Sequence, residues 1–126
     1  MKVVVIDDSM LVRLQLKKFF EEEMEFEVAA VGNDGNEAVA LYNEHKPDLI
    51  TIDLTMPNKD GYEALKEILV NDSEARILIC SAIKDPAKVT QTLEAGAKGY
   101  IKKPLQLTNA EYVERIKDDI EEALED

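Results

Sequence analysis

Leu49-Ile50-Thr51-Ile52-Asp53 decides the reading of this chain: a short, β-branched run with almost no polar relief, ended by a carboxylate. A run apolar on both of its faces reads as a strand covered on both sides, the central strand of a parallel sheet. Three other runs break off in the same way. Val3-Val4-Val5-Ile6 stops at Asp7-Asp8, Ile77-Leu78-Ile79-Cys80 at Ser81, and Gly99-Tyr100-Ile101 at Lys102-Lys103-Pro104. If these are neighbouring parallel strands, three carboxylates, a hydroxyl and an ammonium converge at one edge of a sheet.

Outward from these runs, strand-like and helix-like segments alternate five times without a linker, low-complexity tract or repeat. The pattern predicts one α/β domain over residues 1–126: a five-stranded parallel sheet with helices on both faces. Of the common doubly wound solutions, the flavodoxin-like order 2-1-3-4-5 sets the first and third strands side by side at the switch point where ligands bind. The strands are expected at Val3 to Ile6, Phe26 to Val31, Leu49 to Ile52, Arg76 to Cys80 and Gly99 to Lys102. Ser9 is a cap for a helix with apolar positions Leu11, Leu14, Leu16, Phe19 and Phe20. Asn33-Asp34-Gly35 turns into a helix through Ala38, Val39, Leu41 and Tyr42 that Pro47 stops. Ala64, Leu65, Ile68 and Leu69 mark the third helix. Pro86, capped by Asp85, opens the fourth, which ends near Ala95-Gly96. Thr108 with Glu111 is a capping-box signature for a long last helix through Val113, Ile116, Ile120 and Leu124.

Composition narrows the function. A domain of 126 residues with 45% apolar residues can fill one core. With 15 basic and 27 acidic residues the net charge is -12, which repels phosphate backbones and argues against direct binding to nucleic acid. No run approaches the roughly 20 apolar residues that cross a bilayer, and Met1-Lys2 before a short strand is no signal peptide, so no membrane insertion and a cytoplasmic location are expected. The lone Cys80 lies in an apolar run and reads as core. The acidic stretches Glu21-Glu22-Glu23-Glu25 and Asp118-Asp119 through Glu125-Asp126 read as solvated helix surface, and His45 as a surface residue at a helix end.

Clustered carboxylates repel one another unless a cation or protons join them. Hard oxygen donors without His or Cys point to Mg²⁺, or Mn²⁺, and magnesium readily shares a phosphate oxygen. Lys103 can neutralise one phosphoryl oxygen and Ser81 can donate to another. Asp53, ending the central strand, is the candidate nucleophile for an aspartyl phosphate.

Asp7-Asp8, the stretch Ile52-Asp53-Leu54-Thr55-Met56-Pro57 with Asp60-Gly61, Ser81-Ala82, and Gly96-Ala97-Lys98-Gly99-Tyr100 leading to Lys103-Pro104 together resemble the receiver (CheY-like) domain of two-component response regulators, especially the single-domain chemotaxis type. The resemblance spans about the whole chain. It implies that Asp53 accepts a phosphoryl group from a sensor histidine kinase and that Asp8, Asp53 and the Thr55 backbone carbonyl hold Mg²⁺, with Asp7 helping through water. It also implies that Ser81 and Tyr100 act as a switch pair altering the surface of the fourth helix, fifth strand and fifth helix, and that the Lys103–Pro104 bond is cis. Thr55 and Ile83, two residues beyond Asp53 and Ser81, stand where the family tunes hydrolysis. The downstream partner is a protein the sequence does not identify, and the state is a monomer or a phosphorylation-dependent dimer.

Three other readings compete with a stand-alone receiver. A phosphorelay intermediate would pass its phosphoryl group on to a histidine phosphotransfer protein. A Mg²⁺-dependent aspartyl phosphatase would carry Asp-x-Asp, where this chain has Asp53-Leu54-Thr55. A nucleotide or flavin module would need a glycine-rich turn after the first strand, where Asp7-Asp8 stands instead. The receiver is therefore read as a phosphoacceptor rather than an enzyme.

Overall fold

The computed structural model describes residues 1–125 and alternates strictly: β1 (Lys2–Ile6), α1 (Met10–Glu23), β2 (Glu27–Gly32), α2 (Gly35–His45), β3 (Leu49–Ile52), α3 (Gly61–Asn71), β4 (Ile77–Ser81), α4 (Pro86–Glu94), β5 (Gly99–Lys102) and α5 (Ala110–Leu124). The strands pair in parallel in the order β2-β1-β3-β4-β5, the expected flavodoxin-like topology with β3 in the middle. Asp126, counted above with the acidic end of the chain, lies outside the described residues. Among the described residues no helix is long and apolar enough to cross a membrane.

Alternation along each strand builds two apolar layers. Val4, Ile6, Ile50, Ile52, Ile77 and Ile79 face one side and pack on Ala38 and Tyr42 of α2 and on Ala64, Leu65 and Ile68 of α3. Val3, Val5, Leu49, Leu78, Cys80 and Ile101 face the other and meet Leu16, Phe19 and Phe20 of α1 and Tyr112, Ile116 and Ile120 of α5. Each fully buried Ile or Leu side chain contributes about 1.5–3 kcal/mol, so β1, β3 and β4 form a stiff platform. Helix α4 is anchored more lightly, with Thr92 its one buried residue.

Local chemistry sets the helix starts. Ser9, Asp34, Asp60 and Asp85 each accept from a backbone N–H of the turn they open. The last helix departs from expectation. Its cap is Asn109, whose Oδ1 accepts from the Tyr112 N–H at 3.1 Å. Thr108 is thus left one residue outside, and Glu111 falls at the second helical position, where the reciprocal half of a capping box cannot form. Asparagine is the stronger cap, and this start buries Tyr112. A second correction concerns α1. Leu11 and Leu14 are 64% and 58% exposed, because the inward stripe runs Val12, Leu16, Phe19, Phe20 and leaves them outside its arc. Strands β2 and β4 each begin and end one residue later than expected.

The α2–α3 side is closed by one polar contact. The Tyr42 hydroxyl donates to Asp72 Oδ2 at 2.7 Å, tying α2 to the residue that caps the end of α3. This bond, with a backbone bond from Glu74, holds the Asp72 carboxyl below its ordinary 3.8. Burial, then the hydrogen bond to Asp72, raises the Tyr42 phenol well above 10.0. A depressed carboxyl contributes stability that is present above its unfolded value and lost as pH falls through the folded one. Tyr42→Phe is therefore expected to lower stability by roughly 1 kcal/mol at neutral pH. The deficit relative to wild type should shrink below pH 3.8, as urea denaturation across a pH series would measure.

Candidate functional site

Strand pairing positions the first two groups. Ile6 of β1 lies opposite Ile52 of β3, so Asp7 and Asp53, the next residues, emerge side by side. The Asp53 N–H donates to the Ile6 carbonyl at 3.1 Å and the Asp7 N–H to the Gly32 carbonyl at 3.0 Å. Both carboxylates are buried, at 1% and 5% exposure, while Asp8 is exposed. One oxygen from each of Asp7, Asp8 and Asp53 lies within 4.8 Å of the others. Unit charges at that spacing repel by roughly 3–4 kcal/mol per pair at an effective dielectric near 20.

Lys103 offsets part of this. It follows β5, whose register sets Lys102 opposite Ser81, and its N–H donates to the Ser81 carbonyl at 2.9 Å. Its Nζ reaches Asp7 Oδ2 at 2.7 Å and Asp53 Oδ2 at 3.1 Å. The Lys103–Pro104 peptide bond is cis. Burial raises the Asp7 carboxyl above 3.8 even though Lys103 and the Ser9 N–H pull the other way. Burial would lower the Lys103 ammonium, but the hydrogen bond to Asp7 and the charges of Asp53 and Asp7 outweigh it and raise it above 10.5. One ammonium for three carboxylates leaves the cluster short of positive charge.

The donor set suits a hard divalent cation: three carboxylates, with no His or Cys in the cluster. The oxygens differ in availability. Asp7 has both engaged, Oδ1 by the Ser9 N–H at 2.9 Å and Oδ2 by Lys103. Asp53 Oδ1 accepts only a long 3.3 Å bond from the Thr55 N–H, and Asp8 projects into solvent. Asp8 and Asp53 are thus the better placed direct ligands. Thr55, exposed in the loop after β3, offers its backbone carbonyl beside them in sequence.

Ser81, Ile83 and Tyr100 form a second group. Ser81 is fully buried and its Oγ accepts from the Ile83 N–H at 3.3 Å. The Tyr100 hydroxyl donates to the Ile83 carbonyl at 2.8 Å. Burial raises the Tyr100 phenol above 10.0, moderated by the Ser81 side chain next to it. The Ile83 main chain therefore joins the two side chains, a role that its apolar side chain does not advertise. Of the remaining singled-out residues, Lys102 is exposed, His45 ends α2 beside Glu44, and burial pushes the Cys80 thiol up to about 12, leaving it inert.

One contact at the site has no signature in the sequence pattern. Arg13 reaches from α1 to the Asp7 carbonyl, Nη1 to oxygen 2.7 Å, adding a second cation next to the acidic pair. An arginine one turn into a helix looks like any solvated residue until the helix is docked.

Comparison with known proteins agrees with this geometry. The family model for the response regulator receiver domain matches residues 3–117. The chemotaxis protein CheY of Bacillus subtilis is 43% identical over 105 residues, covering 83% of this chain and 87% of that protein. CheY of Listeria monocytogenes is 41% identical over 106 residues, covering 84% and 88%. A crystal structure of the CheX-CheY-BeF3-Mg complex from Borrelia burgdorferi superposes with a TM-score of 0.90 at 31% identity, covering all of this chain and 90% of the other. With its sheet order, its carboxylates at the ends of β1 and β3 and these relatives all in agreement, the chain belongs to the response regulator receiver domain family, and its relatives are of the CheY type.

Proposed function

We propose that Asp53 accepts a phosphoryl group from a phosphohistidine of a sensor histidine kinase in a Mg²⁺-dependent reaction, and that the modified protein signals by contact with a partner protein, in chemotaxis or a related response. The observation that carries this reading is the buried Asp53 carboxylate, one oxygen at the Lys103 ammonium and its neighbours Asp7 and Asp8 within ligating distance of one another. An Asp53 oxygen forms a bond to phosphorus while the phosphorus–nitrogen bond of the donor breaks and the histidine nitrogen keeps the electron pair. Asp8, Asp53 and the Thr55 carbonyl would hold Mg²⁺, with Asp7 acting through water. When bound, the cation offsets the charge of the carboxylates and of the phosphoryl oxygens.

Lys103 would exchange part of its contact with Asp53 for a phosphoryl oxygen, and the Ser81 hydroxyl would donate to another. Because Ser81 and Tyr100 share the Ile83 main chain, a move of Ser81 bears directly on the β4–α4 loop. The light anchoring of α4 favours a response there, since segments with few buried contacts open at low free energy. The α4-β5-α5 surface is the output face in this reading. The presence of BeF3 and Mg in the Borrelia CheY complex supports the cation, and CheX in that complex illustrates the kind of protein such a domain meets.

Incubation with acetyl phosphate and Mg²⁺ is expected to add the mass of one phosphoryl group; Asp53→Asn or EDTA should abolish it, and modification that persists in Asp53→Asn would reject the assignment. The half-buried, apolar Ile83 restricts the attacking water, so Ile83→Glu should shorten the phosphoryl lifetime in a phosphate-release assay. Lys103→Met strands two buried carboxylates and is expected to destabilise the metal-free protein by about 3 kcal/mol at neutral pH. The Asp7 carboxyl, raised by burial, takes up a proton in the folded state, so the loss should shrink as pH falls, and Mg²⁺ should recover part of it in urea denaturation.

A further inference from the structure

The loop that carries Thr55 is pinned at its tip by a turn from another part of the chain. Residues 54–60 leave β3 at the acidic cluster and re-enter the fold at α3, whose first residue Gly61 donates its N–H to the Leu54 carbonyl at 3.0 Å. A Cβ on Gly61 would stand 2.1 Å from the Asp53 carbonyl oxygen, so the loop closes directly against the phosphoacceptor's backbone. Leu54 and Met56 are buried, whereas Thr55, Pro57 and Asn58 are exposed. The exposed part is held by the turn between β2 and α2. The Gly35 N–H donates to the Lys59 carbonyl at 2.9 Å, and Asn58 Nδ2 donates to Asp34 Oδ2 at 2.7 Å. A Cβ on Gly35 would meet the Lys59 carbonyl oxygen at 2.3 Å. Asn58 itself is left-handed, φ 68°, a conformation asparagine tolerates.

Asp34 makes two bonds at once: Oδ1 caps α2 through the Glu37 N–H at 2.9 Å, and Oδ2 takes the Asn58 amide. The cap orients the carboxylate independently of the loop, so the turn is a rigid anchor rather than a passing contact. Magnesium requires near-ideal octahedral geometry at short distances and tolerates a displaced ligand poorly. A carbonyl on an exposed loop meets that demand only if the loop is held.

We propose that the Asp34–Asn58 hydrogen bond positions the Thr55 carbonyl and thereby sets the affinity of the acidic cluster for Mg²⁺; this rests on the Mg²⁺ reading above. Asp34 and Asn58 are positioning residues that act through the loop. They are not among the residues that would hold the cation or the phosphoryl group.

The test is isothermal titration of the metal-free full chain with MgCl₂ alone, at a temperature where every variant is folded by circular dichroism. Asn58→Gly keeps the left-handed backbone and removes only the amide. It is expected to weaken Mg²⁺ binding roughly tenfold, the low end for contacts that orient a ligand. The exchange Asp34→Asn with Asn58→Asp keeps the net charge. The amide it places at position 34 caps α2 through its oxygen and donates across to the new carboxylate, so the pair is retained with its direction reversed and wild-type affinity should return. Tyr42→Phe is the stability control, expected to lower the unfolding midpoint with Mg²⁺ affinity unchanged. Wild-type affinity in Asn58→Gly, or a double exchange as weak as Asn58→Gly, overturns the proposal. A wild-type chain that binds no Mg²⁺ would instead overturn the cation reading itself, and this proposal with it.

Discussion

Parallel pairing of β1 and β3 forces two carboxylates together under cover. Asp7 and Asp53 follow paired residues, both are buried, and neither can turn away to water without breaking the strand ends that carry them. An isolated pair of that kind would be disfavoured by both desolvation and repulsion. The other features of the site answer this constraint: Lys103 bridging the two, Arg13 on the Asp7 carbonyl, and the Ser9 N–H on Asp7, with Asp8 facing solvent beside them. The cluster stays short of positive charge, which is what the proposed cation would supply. A cluster satisfied without metal would have little reason to bind one.

The molecule is stiff where this cluster sits and lighter beside it. β1, β3 and β4 are buried on both faces, so the carboxylates and Ser81 stand on a platform that does not relax. Helix α4 buries one residue, and the loop before it is tied to the sheet by the Tyr100 hydroxyl and the Ser81 Oγ through a single residue, Ile83. The rigid side and the lightly anchored α4 are thus joined by a short covalent and hydrogen-bonded route through Ile83. The opposite flank is braced differently: the Tyr42–Asp72 bond ties α2 to the end of α3, and the turn at Asp34–Gly35 separately holds the loop after β3.

Most of the architecture was legible from residue order. Each apolar run ended at a charged or hydroxyl residue, and in a doubly wound sheet strand ends converge, so Asp7, Asp8, Asp53, Ser81 and Lys103 could be brought together without coordinates. The caps at Ser9 and Asp85 were equally plain, because a cap is a contact between residues two or three apart. Where two neighbouring residues could each serve, as at Thr108 and Asn109, local chemistry was degenerate. Burial of Tyr112 against the sheet decided between them.

Tertiary structure alone settled the rest. Leu11 and Leu14 are apolar yet solvent-facing because the docking angle of α1 selects Val12, Leu16, Phe19 and Phe20 instead. The reach of Arg13 to Asp7, the bridging of both carboxylates by one lysine, and the pinning of Asn58 by Asp34 link elements that are distant or unrelated in periodicity. Sequence by itself determined which segments are strands and helices and which polar groups cap the strands, since those follow from hydrophobic period and nearest-neighbour bonding. Which side chains share a proton, a charge or a loop depends on angstrom-scale distances between separate elements, and only the packed fold sets those.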